Sequence, residues 1–131
     1  MMQPIIATFS IFLQPIHDAR TPTPHHHPPL AIGNTPAVLF RHVAPASTYA
    51  NVYVKLESPN PTGSYKDRLA ATLIAAAELR PSMTVTEATG GSTGSSLAFV
   101  CAAKGYAFAP VCSNAFTPEK LRTMAAFGAS V

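Results

Sequence analysis

Asn60-Pro61-Thr62-Gly63-Ser64-Tyr65-Lys66-Asp67-Arg68 reads as a turn that runs straight into a helix, with a lysine in that helix's first turn. Pro61 and Gly63 hold the chain out of regular structure, Ser64 is a good N-cap, and Leu69, Leu73 and Ala77 recur at helical spacing as far as Arg80-Pro81. The N-terminal end of a helix carries partial positive charge. An ammonium placed there is disfavoured relative to the free amine, which is the nucleophilic form. Lys66 is therefore the candidate for chemistry. The competing reading is a solvated lysine paired with Asp67 or Glu57.

Working outward, Val52, Val54 and Leu56 alternate with Tyr53, Lys55 and Glu57, the period of a strand with one buried face. Before it stand the turn Ile32-Gly33-Asn34-Thr35-Pro36, the apolar run Ala37–Phe40 and a loop over 45–50. After the lysine helix, Met83–Ala88 reads as a strand, and Thr89-Gly90-Gly91-Ser92-Thr93-Gly94 leads into a helix from about Ser95 to Lys104 that Gly105 stops. Ala107–Val111 is a further strand. Thr117-Pro118-Glu119 opens a third helix, which carries Leu121, Met124 and Ala125 to Phe127-Gly128, and Ala129–Val131 has the look of another strand beginning. Strands alternating with helices of this length predict an α/β fold, a three-layer, open and mostly parallel sheet with flanking helices. Ligands of such sheets gather beyond the carboxyl ends of the strands. The 58–65 and 89–94 connections both leave strands at that edge and are expected to converge on one pocket.

The Thr89–Gly94 loop combines three glycines, which permit close backbone approach, with three hydroxyls at a helix N-terminus. That is an anion site. The segment has neither the GxxxxGK[ST] nor the GxGxxG spacing, so a carboxylate fits it as well as a phosphate.

The 131 residues are 47% hydrophobic and 11% charged, enough for one modest core. The net charge of +3 comes from nine basic and six acidic residues scattered singly, which argues against a nucleic-acid partner. Cys101 and Cys112 sit in apolar company without a CxxC neighbour, as buried thiols of a reducing, cytoplasmic compartment do. Residues 1–30 form a Pro/His-rich leader, expected to be disordered. Its first 17 residues lack a basic signal region and are too interrupted to span a bilayer, and its prolines are expected to keep it out of the sheet. His25, His26 and His27 lie in an extended stretch with no carboxylate or cysteine nearby, so no metal site is expected.

The segments at 32–36, 55–57, 60–68, 87–94, 102–106 and 126–129 together resemble the cysteine synthase family of fold-type-II pyridoxal-phosphate enzymes, which are tryptophan synthase beta-like. The resemblance covers residues 31–131, the N-terminal portion of such a domain. It implies pyridoxal 5'-phosphate as cofactor, bound covalently by Lys66. It also implies a substrate carboxylate held by Thr89, Gly90, Gly91 and Thr93, with Ser92 at the position that usually meets the cofactor's ring hydroxyl. Ser92 stands where the family usually has asparagine, and Gly90 where it often has serine, which leaves the substrate open. The implied reaction is β-elimination or β-replacement on serine or O-acetylserine, as in cysteine biosynthesis, with a family-like homodimer as assembly. Serine or threonine dehydratase and threonine synthase use a similar lysine turn. The family's phosphate loop and ring-nitrogen partner come from a second domain and have no counterpart here. The expectation is therefore an incomplete enzyme, inactive alone, or else a non-catalytic binding module.

Overall fold

The computed structural model describes residues 14–15, 30–40, 51–113 and 115–131. The leader other than Gln14, Pro15 and Leu30, the three adjacent histidines and the 45–50 loop lie outside the described residues. The elements in order are β1 (Gln14–Pro15), β2 (Ala37–Phe40), β3 (Val52–Lys55), α1 (Lys66–Ala76), β4 (Met83–Ala88), α2 (Ser92–Lys104), β5 (Ala107–Val111) and α3 (Pro118–Ala126). The chain is mixed α/β, as its alternation of periods requires.

The parallel character rests on β4 and β5, which pair from Thr84↔Ala107 to Ala88↔Val111 with α2 as the crossover between them. Here β3 departs from expectation. It pairs antiparallel with β2, Val38 opposite Val54 and Phe40 opposite Val52, in a two-stranded sheet separate from β4 and β5. Alternation marks a strand but does not choose its partner. The leader also departs from expectation at one point, because Gln14 and Pro15 pair antiparallel with Thr84 and Met83. That pairing is at a sheet edge, where proline's missing N–H is tolerated.

The core consists of Ala70, Ile74, Val85, Leu97, Ala98, Val100, Cys101, Phe108 and Met124. Helix α2 supplies four of these nine, more than any other element, and packs on α1, α3 and β5. On α1 the buried positions are Asp67, Ala70 and Ile74, one helical stripe over from the expected Leu69 and Leu73, which are only partly covered. The helix also ends at Ala76, short of Arg80, because Ala77 is extended and Leu79 turns back onto the core. At the C-terminal end the Ser130 N–H donates to the Phe108 carbonyl at 2.9 Å, but the expected strand at residues 129–131 does not form.

Candidate active site

The lysine turn is held by its own side chains. Asn60 is buried; its Oδ1 accepts the Gly33 N–H at 3.0 Å and its amide donates to Glu57 Oε2 at 2.7 Å. Asp67, with no exposed surface, accepts the Thr62 backbone N–H at 2.8 Å and the Thr62 hydroxyl at 2.5 Å. Ser64 caps as expected in chemistry though not in position: Tyr65 occupies the cap residue's place, and Ser64 Oγ accepts the Lys66 N–H at 3.1 Å.

Beside the turn, Glu57 accepts Arg68 Nε at 3.0 Å and the Thr35 hydroxyl at 2.6 Å. The hydrogen bond from Arg68, then that from Thr35, holds the Glu57 carboxyl well below the usual carboxylate range, at about 2. Lys55 donates its ammonium to the Thr35 carbonyl. Thr35, Glu57, Asn60 and Arg68 thus bind the 32–36 turn, the end of β3 and the start of α1 into one polar cluster.

These contacts bear on the reading of Lys66 as an ion-paired lysine. Both candidate partners are engaged elsewhere, Asp67 by Thr62 and Glu57 by Arg68, Thr35 and Asn60. Among the described residues the one ion pair is Arg68–Glu57. The Lys66 side chain, half-buried, places its amine 4.9 Å from the centroid of the Tyr65 ring and pairs with no carboxylate among the described residues.

The Thr89–Gly94 loop becomes helical sooner than expected. Gly91 is the extended N-cap residue, and Ser92, Thr93 and Gly94 form the first turn of α2, so their N–H groups are the unpaired donors of a helix start. Gly94 can sit there because a Cβ would meet Met124 Sδ at 2.6 Å and Thr89 Cγ2 at 2.9 Å. Thr89 is fixed from β5: its N–H donates to the Val111 carbonyl at 3.0 Å, and Cys112 Sγ donates to its carbonyl at 2.8 Å. Just before it, burial pushes the Glu87 carboxyl upward.

The two loops are joined through Thr62, whose Oγ1 lies 3.2 Å from the buried Ser96 Oγ on α2. A cavity of about 680 Å³ is lined by Leu30–Asn34, Arg68, Ala71 and Thr72, and its lining includes neither Lys66 nor any of Thr89–Thr93. The burial of Asp67 on Thr62, and the contact of Thr62 with Ser96, could not be read from the sequence, because a buried carboxylate bonded five residues back has no periodic signature.

In this mixed α/β chain Lys66 opens α1, and the donor-rich start of α2 is tied to its turn through Thr62 and Ser96. Residues 29–131 match the family described as pyridoxal-phosphate dependent enzyme, and the chain belongs to that family. It is 44% identical over 104 residues to a cysteine synthase of Staphylococcus aureus, covering 76% of this chain and 33% of the relative. It is also 44% identical over 101 residues to the O-ureido-L-serine synthase of Streptomyces lavendulae, covering 74% of this chain and 31% of the relative. Among solved structures, O-acetyl serine sulfhydrylase isoform 3 from Entamoeba histolytica superposes with a TM-score of 0.71 at 34% identity, over 87% of this chain and 37% of that one. The chain spans about a third of the length of the curated relatives it matches. Among the described residues no helix is long and apolar enough to cross a membrane.

Proposed function

We propose that residues 31–131 are the lysine-bearing, carboxylate-binding portion of an enzyme that performs β-elimination and β-replacement on serine or an O-activated serine. The observation that carries this reading is the Lys66 amine, held at a helix start with both neighbouring carboxylates occupied by other partners. The family match and the likeness to cysteine synthases support it.

The residues present fit one side of pyridoxal phosphate: a primary amine outside any ion pair for its aldehyde, and a hydroxyl, Ser92, for its ring oxygen. When bound, the cofactor supplies an electron sink for the carbanion left at the substrate's α-carbon. Lys66 Nζ would hold the cofactor and, as a free amine, would take the α-proton as general base. The N–H groups at the start of α2, with the Thr89 and Thr93 hydroxyls, bind the α-carboxylate. Gly90 and Gly91 let it approach the backbone. Asp67 and Thr62 fix the direction of the turn from which Lys66 projects.

Labelling tests this. The chain, incubated with pyridoxal phosphate and reduced with borohydride, is digested and its lysines compared by mass spectrometry. Preferential modification of Lys66 over Lys55, Lys104 and Lys120 is expected. Even labelling of all four lysines would overturn the assignment.

A further inference from the structure

The Thr62 hydroxyl meets two other side chains, and their chemistry sets the direction of both hydrogen bonds. A carboxylate only accepts, so the Thr62 O–H, 2.5 Å from Asp67 Oδ1, donates to Asp67. In the other contact, at 3.2 Å, Ser96 Oγ is then the donor. The result is a directed chain, Ser96 to Thr62 to Asp67, whose two ends have no exposed surface. Among the described residues the Ser96–Thr62 bond is the one hydrogen bond between the lysine turn and α2. It is also the slack link, since hydroxyl pairs usually close to about 2.7–2.8 Å.

Ser96 lies one turn inside α2, the helix whose first N–H groups are read as the carboxylate donors. The strand side of that loop is held: the Thr89 N–H and carbonyl are engaged by Val111 and Cys112, and Gly90 is buried against the Phe116 ring. Adjustment to a ligand therefore falls on the start of α2 and reaches Ser96 within a turn.

We propose that Ser96 is a positioning residue for Lys66. Its hydrogen bond to Thr62 tightens when a carboxylate is seated at the start of α2 and, through Asp67, sets the lysine turn against the loop. The inference rests on the reading of Thr89–Thr93 as a carboxylate site. Hydrogen bonds at reaction sites are often long before the ligand is bound and close with it. The proposed reaction needs such a joint, because the carbon beside the carboxylate must come within reach of the Lys66 amine, so the two elements have to keep one spacing.

The test is an amide-resolved NMR titration of the 131-residue chain with L-serine, following Gly90 to Gly94 in the loop and Thr62 and Lys66 in the turn. In the parent both groups of signals should shift with one midpoint. Ser96→Ala removes one oxygen, spares the Thr62–Asp67 pair and suits a helix. In that variant the loop should still respond, with affinity about threefold weaker, while the Thr62 and Lys66 signals stay still. Thr62→Ser keeps the hydroxyl and should keep the joint response. A turn that stays still in the parent while the loop responds overturns the proposal, as does a turn response that survives Ser96→Ala; either result leaves the carboxylate site standing. Absence of any loop response, in the parent and the variants alike, overturns the carboxylate reading and the proposal with it.

Discussion

Asp67 takes both donors of Thr62, the backbone N–H on Oδ2 at 2.8 Å and the hydroxyl on Oδ1 at 2.5 Å, from a position with no solvent exposure. Asp67→Asn keeps the volume but turns an amide N–H₂ towards one of those donors. Hydrogen bonds to a charged group are worth about 1.5–3 kcal/mol, and a loss of that size is expected in urea denaturation. Lys66 should also lose its preference in cofactor labelling, since the turn that aims it is released. An unchanged unfolding midpoint would count against a structural role for Asp67.

Acid should weaken the chain through Glu57. Its carboxyl is lowered from 4.5 to about 2 in the fold, chiefly by the hydrogen bond from Arg68. A depressed folded value means that the stabilisation is fully present above 4.5 and is lost progressively as pH falls towards about 2. Thermal melts across that range should show a decline that Glu57→Gln flattens. An identical acid limb in the variant would remove Glu57 as its source.

What could be read from the sequence follows from the range of each signal. Val52 and Val54 announced a strand by alternation, and Pro61, Gly63 and Gly105 announced breaks, because these effects act within a few residues. The pairing of that strand with Ala37–Phe40 depends on contacts across an intervening loop, which no local period encodes. Lys66 and the Thr89–Thr93 loop stood out as candidates from their expected position at helix starts and from a family pattern spread over six segments, and the structure places both at helix starts. Asp67 looked like a surface partner for Lys66 and is instead buried, because the turn folds Thr62 back over it. Phe116 lies in a stretch without periodicity, and its meeting with Gly90 joins residues on opposite sides of a βα unit.

Gly94→Ala tests the packing that seats the Thr89–Gly94 loop. The added methyl would stand 2.6 Å from Met124 Sδ and 2.9 Å from Thr89 Cγ2, and Met124 is wholly buried. Overpacking of this kind costs about 1–3 kcal/mol, more than the gain in helix propensity from replacing glycine. The expected result is a lower melting temperature, restored in part by Met124→Ala in the same chain. A variant as stable as the parent would show that the α2–α3 contact yields freely.

The two thiols should react very differently. Cys101 has no exposed surface, and burial pushes its thiol up to about 12, so the thiolate is scarce near neutral pH. Cys112 is only half-buried, contrary to the expectation of two buried thiols. Iodoacetamide applied to the native chain should alkylate Cys112 and spare Cys101 until denaturant is added. Equal rates in the native state would contradict the packing of α2.

Association is expected at the β2–β3 sheet. Val38, Phe40, Val52 and Val54 share one face, since alternate residues point the same way and Val38 stands opposite Val54, Phe40 opposite Val52. Val38 and Phe40 remain 41% and 42% exposed. A two-stranded sheet is marginal alone, and one with an uncovered apolar face gains stability by laying it against another surface. The 131-residue chain should therefore sediment as a concentration-dependent mixture of monomer and larger species. Replacing both Val38 and Phe40 by lysine should shift that mixture towards monomer, because like charges would be brought together on contact and the apolar area lost. The pair of substitutions leaves the β4–α2–β5 core untouched, so the circular dichroism spectrum serves as the control for folding. A parent chain that is monomeric at every concentration would show this face to be adequately covered as it stands.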